Sequence, residues 1–143
     1  MQEKSAGAII YRKENSRIKY LLLLYGAGHW DYVKGNIETG EEEEETLVRE
    51  AEEEAGLIDL KIIPGFRERI SYFYTKNGKK IAKEVVFLLA ETETEEIKLS
   101  SEHEKYKWLE FDKAAKQATF KTAKNLLKKA DKFVKKYANQ KTL

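Results

Sequence analysis

The sequence predicts an α/β sandwich, a mixed sheet with helices packed against it. Three features carry this expectation: short apolar strand-like runs on both sides of one periodic helix, two long segments rich in β-branched and aromatic residues around a tight turn, and an amphipathic helix at the end. With 143 residues, 41% hydrophobic and 11% aromatic, the chain is expected to form one domain spanning 1–143. Its 36% charged residues then belong to the surface rather than to disorder. A net charge of +2 argues against a general nucleic-acid or membrane footprint, so no stable nucleic-acid partner is expected. Without cysteine there can be neither disulfides nor thiolate metal sites. The sequence shows no signal-peptide layout and no apolar run of membrane-spanning length, which predicts a cytoplasmic protein.

The elements follow in order. "SAGAIIYRK" reads as a strand, "NSRI" as a turn, and "KYLLLLYG" as a strand apolar enough to be covered on both faces. Glycines 26, 28, 35 and 40 mark a long loop with a brief strand around Trp30 to Val33. Thr39 or the acidic residues after Gly40 can cap a helix from about Glu43 to Ala55, and Gly56 ends it. "LKIIPGFRERISYFYTK" and "KKIAKEVVFLLAETE" form two long strands joined at "KNGK", and "KYKWLEF" forms another. In the tail, Phe120, Ala123, Leu126, Leu127, Ala130, Phe133, Val134 and Tyr137 recur at helical steps between lysines, the pattern of a core-packing helix with a solvated basic face.

The stretch from Glu38 to Glu54 concentrates negative charge in a nearly neutral chain. At about 100° per residue, Glu50, Glu53 and Glu54 fall on one helical face, while Leu47, Ala51 and Ile58 fall on the adjacent face that packs on the sheet. Two carboxylates about 4 Å apart repel by roughly 4 kcal/mol at an effective dielectric near 20. Protonation or a hard cation such as Mg²⁺ or Mn²⁺ relieves that repulsion. Helical spacing leaves open a plainer reading, a solvated acidic face relieved by Arg49 and nearby lysines. An EF-hand calcium loop is disfavoured, because its alternating Asp/Asn ligands are missing.

The wider register is more specific. Gly35, five residues, Glu41, seven residues, then "REAEEEAGL" resembles the Nudix box without a gap from Gly35 to Leu57. The resemblance implies a Nudix fold, an α/β/α sandwich with a mixed sheet between helices. It also implies Mg²⁺-dependent hydrolysis, with Mn²⁺ as a substitute, of nucleoside diphosphates linked to another group. Carried over, Glu50, Glu53 and Glu54 are metal ligands together with the Gly35 carbonyl. Arg49 orients a catalytic glutamate, and Glu41 fixes the loop–helix geometry. Metal ions in such a site neutralise pyrophosphate oxygens and activate the attacking water.

Residues outside the box narrow the likeness. "HWDYVKGNIETGE" and "LSSEHEKYKWLEF" resemble segments of the asymmetrical diadenosine tetraphosphate hydrolases of the animal and archaeal branch. Val33 stands where that family usually has proline, which bears on loop stiffness rather than on chemistry. The resemblance implies that Glu102 serves as general base or added ligand, and leaves the general base open between Glu102 and Glu53. It implies that Lys34 and Lys83 hold the polyphosphate, with His29 and His103 nearby, and that Tyr72 stacks on an adenine. The products would be ATP and AMP. Cross-strand packing remains a plainer role for Tyr72. Other Nudix activities, on modified triphosphates or RNA 5′ ends, stay open as alternatives, as does a binding module that senses a nucleotide without cleaving it. Oligomeric state is not legible.

Overall fold

A computed structural model of the chain describes residues 2–141. Met1, Thr142 and Leu143, the ends of the domain expected from the sequence, lie outside the described residues. The elements are β1 (Gln2–Glu14), β2 (Arg17–Tyr25), β3 (Trp30–Asp31), β4 (Val33–Asn36), α1 (Glu43–Ala55), β5 (Lys61–Lys76), β6 (Lys79–Glu91), β7 (His103–Leu109), α2 (Phe111–Gln117) and α3 (Lys121–Lys141). Seven strands form one mixed sheet in the order β3-β2-β1-β6-β5, with β4 on β1 and β7 on β2. Among the described residues, only β1 and β6 run parallel.

Successive side chains of a strand point to opposite faces, so the apolar runs of β1, β2 and β6 supply two cores at once. Ile9, Tyr11, Tyr20, Leu22, Phe87 and Leu89 face α2 and α3. Ala8, Ile10, Leu21, Leu23, Val86 and Leu88 face Leu47, Ala51 and Ala55 of α1. The expected α/β/α sandwich is present. Among the described residues, no helix is long and apolar enough to cross a membrane. Asn77 and Gly78, with φ of 52° and 75°, close the β5–β6 hairpin in the twist that type I′ turns favour.

One departure from a simple ladder positions the site. The part of β1 from Tyr11 to Glu14 pairs with β2, but Ser5 to Ala8 pair with β4 along the same edge. β2 pairs with β1 through Tyr20 and then with β3 at Leu23 and Leu24. The two strands therefore fork, and the β3–β4 segment fills the opening. Lys34 and Gly35 are held at its mouth.

From β4 the chain loops into α1. Glu42 precedes the helix, its N–H donating to Glu45 Oε1 at 2.9 Å. Gly56 ends the helix with φ of 69°, a left-handed turn that disfavours a side chain. The loop is pinned by Glu41, whose carboxylate accepts from Arg49 Nε and Nη2 (2.8 and 3.0 Å), Thr46 Oγ1 (2.9 Å) and the Glu38 N–H (2.9 Å). Arg49 also reaches the Asn36 carbonyl at 3.0 Å, tying helix to strand. These bonds, Arg49 foremost, lower the Glu41 pKa from 4.5 to about 2.

Three expectations need correction. Ile58 is 83% exposed, because helical geometry stops at Gly56 and its face cannot be extrapolated past the cap. Phe120 precedes α3 and is 47% exposed, so it lies off the buried helical stripe. The segment after β7 turns into α2, which the short pattern around Phe111 and Ala114 concealed.

Two tests follow from this packing. Leu47→Ala is expected to cost about 2–5 kcal/mol in urea unfolding, and Ile58→Ala to stay within about 0.5 kcal/mol; similar losses at both sites would contradict the boundary of α1. The stabilisation from Glu41 is complete above the unfolded carboxyl's pKa near 4.5 and disappears as pH falls through about 2. Glu41→Gln is expected to lower the Tm at neutral pH and to flatten its decline in acid. An acid limb as steep as the parent's would rule this origin out.

Candidate active site

Arg49 also faces the acidic side of α1. Its Nη1 lies 2.7 Å from Glu50 Oε1, 3.4 Å from Glu53 Oε2 and 3.6 Å from Glu38 Oε1. One guanidinium thus balances four carboxylates, and they raise its pKa further. Glu50 turns inward from this contact, its side chain 14% exposed, until its carboxyl sits against the backbone of Gly35. A Cβ at Gly35 would come within 2.1 Å of Glu50 Cδ, so any side chain there would displace the carboxylate. This close approach explains the glycine.

Glu54, one turn on, is buried at 4% exposure. The Tyr25 hydroxyl, which donates to the Tyr32 carbonyl at 2.5 Å, lies 3.3 Å from its Oε1. Its other oxygen, Oε2, is buried without a hydrogen-bond partner among the described residues. Burial first, and the Glu50 carboxylate second, raise its pKa to about 9. An orphaned carboxyl oxygen, a second carboxylate beside it and a backbone pressed close form a hard-oxygen donor set of the kind a divalent cation takes.

Glu53 does not share this position. Its side chain is 59% exposed and is drawn outward by Arg49, so Glu50 and Glu54 converge while Glu53 stands apart. Among the described residues, no three carboxylates or imidazoles are grouped closely enough to hold one ion as they stand. The helical face put three backbone positions together, but side-chain torsions and the arginine decide where the carboxylates go. Glu102 lies in the loop before β7, with its carbonyl accepting from the Gly26 N–H at 3.1 Å, and its charge helps to raise the Glu54 pKa.

On the other face of the sheet, Lys34 and Tyr72 line a cavity of about 290 Å³ together with Asp31, Ile70, Phe87 and Phe120. Lys34 pairs with Asp31 at 3.1 Å. Tyr72 is 42% exposed, so part of its ring faces the cavity rather than the sheet. Lys83 stands opposite Tyr72 in the ladder but is engaged by Asn36 Oδ1 (2.9 Å) and Glu3 (3.5 Å). His29 stacks on Tyr25, with centroids 4.9 Å apart, and its ring lies 5.2 Å from that of Phe120. Burial lowers its pKa, keeping it neutral near pH 7.

His103 requires the clearest correction. Its side chain is fully buried behind Glu54, with Nε2 3.1 Å from Glu54 Oε1, so the expected position near the polyphosphate becomes a place behind a carboxylate rather than an exposed contact. Sequence reasoning also passed over Asp31, Tyr25 and Phe120. Asp31 had a detectable signal, its spacing of three from Lys34, whereas the partners of the other two come from distant segments.

Comparison with known proteins places these features in a family. A model described as the NUDIX domain matches residues 1–130. The chain is 36% identical to the asymmetrical bis(5′-nucleosyl)-tetraphosphatase of Sus scrofa, covering 94% of this chain and 97% of that protein. It is 34% identical to the Caenorhabditis elegans protein of the same description, covering 94% and 98%. A crystal structure described as a binary complex of a C. elegans Ap4A hydrolase superposes with a TM-score of 0.81 at 35% identity, covering 92% of this chain and 97% of that one. Motif, sheet order and likeness along nearly the whole length agree, and the chain belongs to the Nudix family.

Proposed function

We infer that this chain hydrolyses dinucleoside tetraphosphates asymmetrically, taking diadenosine tetraphosphate to ATP and AMP by attack of water on an end phosphorus. The observation that carries the reading is the 34–36% identity, over 94% of the chain, to relatives described as asymmetrical bis(5′-nucleosyl)-tetraphosphatases. The chain is then a hydrolase acting on a small nucleotide. Both cores lean on one sheet, which supports a single catalytic domain over 1–143. Its location is proposed as cytoplasmic. A sensing module without catalysis is less well supported, since Glu50, Glu53, Glu54 and Arg49 all stand in register.

Nudix hydrolases generally use divalent cations, and we assign Mg²⁺, with Mn²⁺ as substitute. Glu50 and Glu54 would hold it, with Glu53 and the Gly35 carbonyl. A bound dication there neutralises phosphate oxygens and makes water a stronger acid and nucleophile. The chain's own groups do the rest. Lys34 and Lys83 offset the remaining phosphate charge, while Tyr72 and Phe120 offer aromatic faces on which an adenine can stack. Arg49 holds Glu50 and Glu53 in place, and Glu102 or Glu53 accepts the water's proton. His29 borders the polyphosphate path from its stack on Tyr25.

Each assignment has a direct test. Glu53→Gln and Glu54→Gln are expected to fold normally and to lose activity roughly a hundredfold or more, the scale of removing a transition-state charge stabiliser. Near-parental turnover in both would exclude the site. Tyr72→Ala is expected to raise the KM for diadenosine tetraphosphate about tenfold while changing kcat less, as loss of ground-state stacking requires. An unchanged KM would return Tyr72 to a packing role. Product analysis tests the reaction: ATP and AMP from the dinucleotide support it, whereas faster release of pyrophosphate from a triphosphate or from RNA 5′ ends would favour another Nudix activity.

A further inference from the structure

His103 has no role in that scheme, yet its surroundings are specific. The ring opens β7 with its side chain fully buried. Nδ1 lies 3.0 Å from Ser100 Oγ, and the ring stands edge-on to Tyr25 with centroids 4.4 Å apart. Nε2 is left 3.1 Å from Glu54 Oε1, close but out of hydrogen-bond alignment. Glu54 Oε2 also lacks a partner. Buried polar atoms without partners carry a free-energy cost, and two of them here lie on neighbouring side chains.

The backbone explains why they are held together. The Ser100 N–H donates to the Glu54 carbonyl at 3.2 Å, and the Lys98 N–H to the Ala55 carbonyl at 2.9 Å. Ser100 thus binds the main chain of Glu54 and, through its hydroxyl, orients the imidazole beside the Glu54 side chain. When that hydroxyl donates to Nδ1, the ring proton resides on Nε2 and faces Glu54 Oε1.

We propose that Ser100 and His103 form a positioning pair for Glu54, the His103 Nε2–H turning into line with Oε1, 3.1 Å away, when Oε2 takes up the cation. The proposal rests on the reading of Glu50 and Glu54 as the cation site. Carboxylates that bind metals are generally held by such outer hydrogen bonds, and removing one costs about 10–100-fold in affinity.

The test is Mn²⁺ affinity of the nucleotide-free protein, read from the electron paramagnetic resonance of free Mn²⁺, alongside Tm. His103→Gln retains an N–H near the Nε2 position, whereas His103→Asn retains a polar group only at the level of Nδ1, facing Ser100. The expected result is a Kd raised about 10–100-fold in His103→Asn and less than about threefold in His103→Gln. Equal affinity in the two variants, or a loss that follows Tm in both, would overturn the pair. Ser100→Ala keeps the test decisive if a histidine variant misfolds: it is expected to weaken Mn²⁺ binding several-fold, and parental affinity there would also overturn the proposal. A parent protein that takes up no Mn²⁺ would refute the cation site itself, an outcome distinct from failure of the pair alone.

Discussion

Two carboxylates crowded at one end of a helix are the constraint around which this site is organised. Glu50 and Glu54 are drawn out of water by the packing of α1 on the sheet, and the pKa of Glu54, raised to about 9, shows what burial next to a like charge does. The neighbouring structure limits that conflict without removing it. Gly35 gives up a side chain to make room for Glu50. Arg49 supplies one positive charge from the solvent side and is itself fixed by Glu41 and the Asn36 carbonyl. Compensation is incomplete at Glu54 Oε2, which is buried with no hydrogen-bond partner among the described residues.

A continuous aromatic path leads away from this point. His103 meets Tyr25 edge-on, Tyr25 stacks on His29, and His29 leans on Phe120 at the rim of the cavity. The carboxylates and the cavity therefore share a packed column of rings. Side chains in such a column constrain one another's rotamers, so the separation between the two ends is set by close packing rather than by loop conformation.

Much of this was legible in the sequence. The apolar run of β2 announced a strand covered on both faces, β1 and β6 were legible as strands, and the spacing from Gly35 to Leu57 marked the helix together with its arginine. The errors have specific causes. Ile58 was assigned by continuing a rotation that Gly56 ends. Glu53 was grouped by its backbone position, although an exposed side chain follows the nearest guanidinium. The burial of His103 behind Glu54 was not legible, because motif resemblance says nothing about the direction of a side chain at the start of a strand. Phe120 and Tyr25 acquire their roles from segments far along the chain, and no local pattern records such meetings.

The parallel pairing of β1 and β6 has a consequence for how the molecule is made. β1 is the middle of the sheet, yet the strand that completes its second edge begins only at Lys79, with Gln2 lying opposite Ala82. A β1–β2 hairpin can form as soon as its residues are available, but its free apolar edge waits until most of the chain has been synthesised. Closing so long a loop carries an entropic cost before its contacts stabilise anything, which makes this step the natural barrier to folding. Until then β1 is an unprotected template for strands of other chains. The feature that joins the two halves of the sheet is therefore also the one that exposes the nascent protein to aggregation.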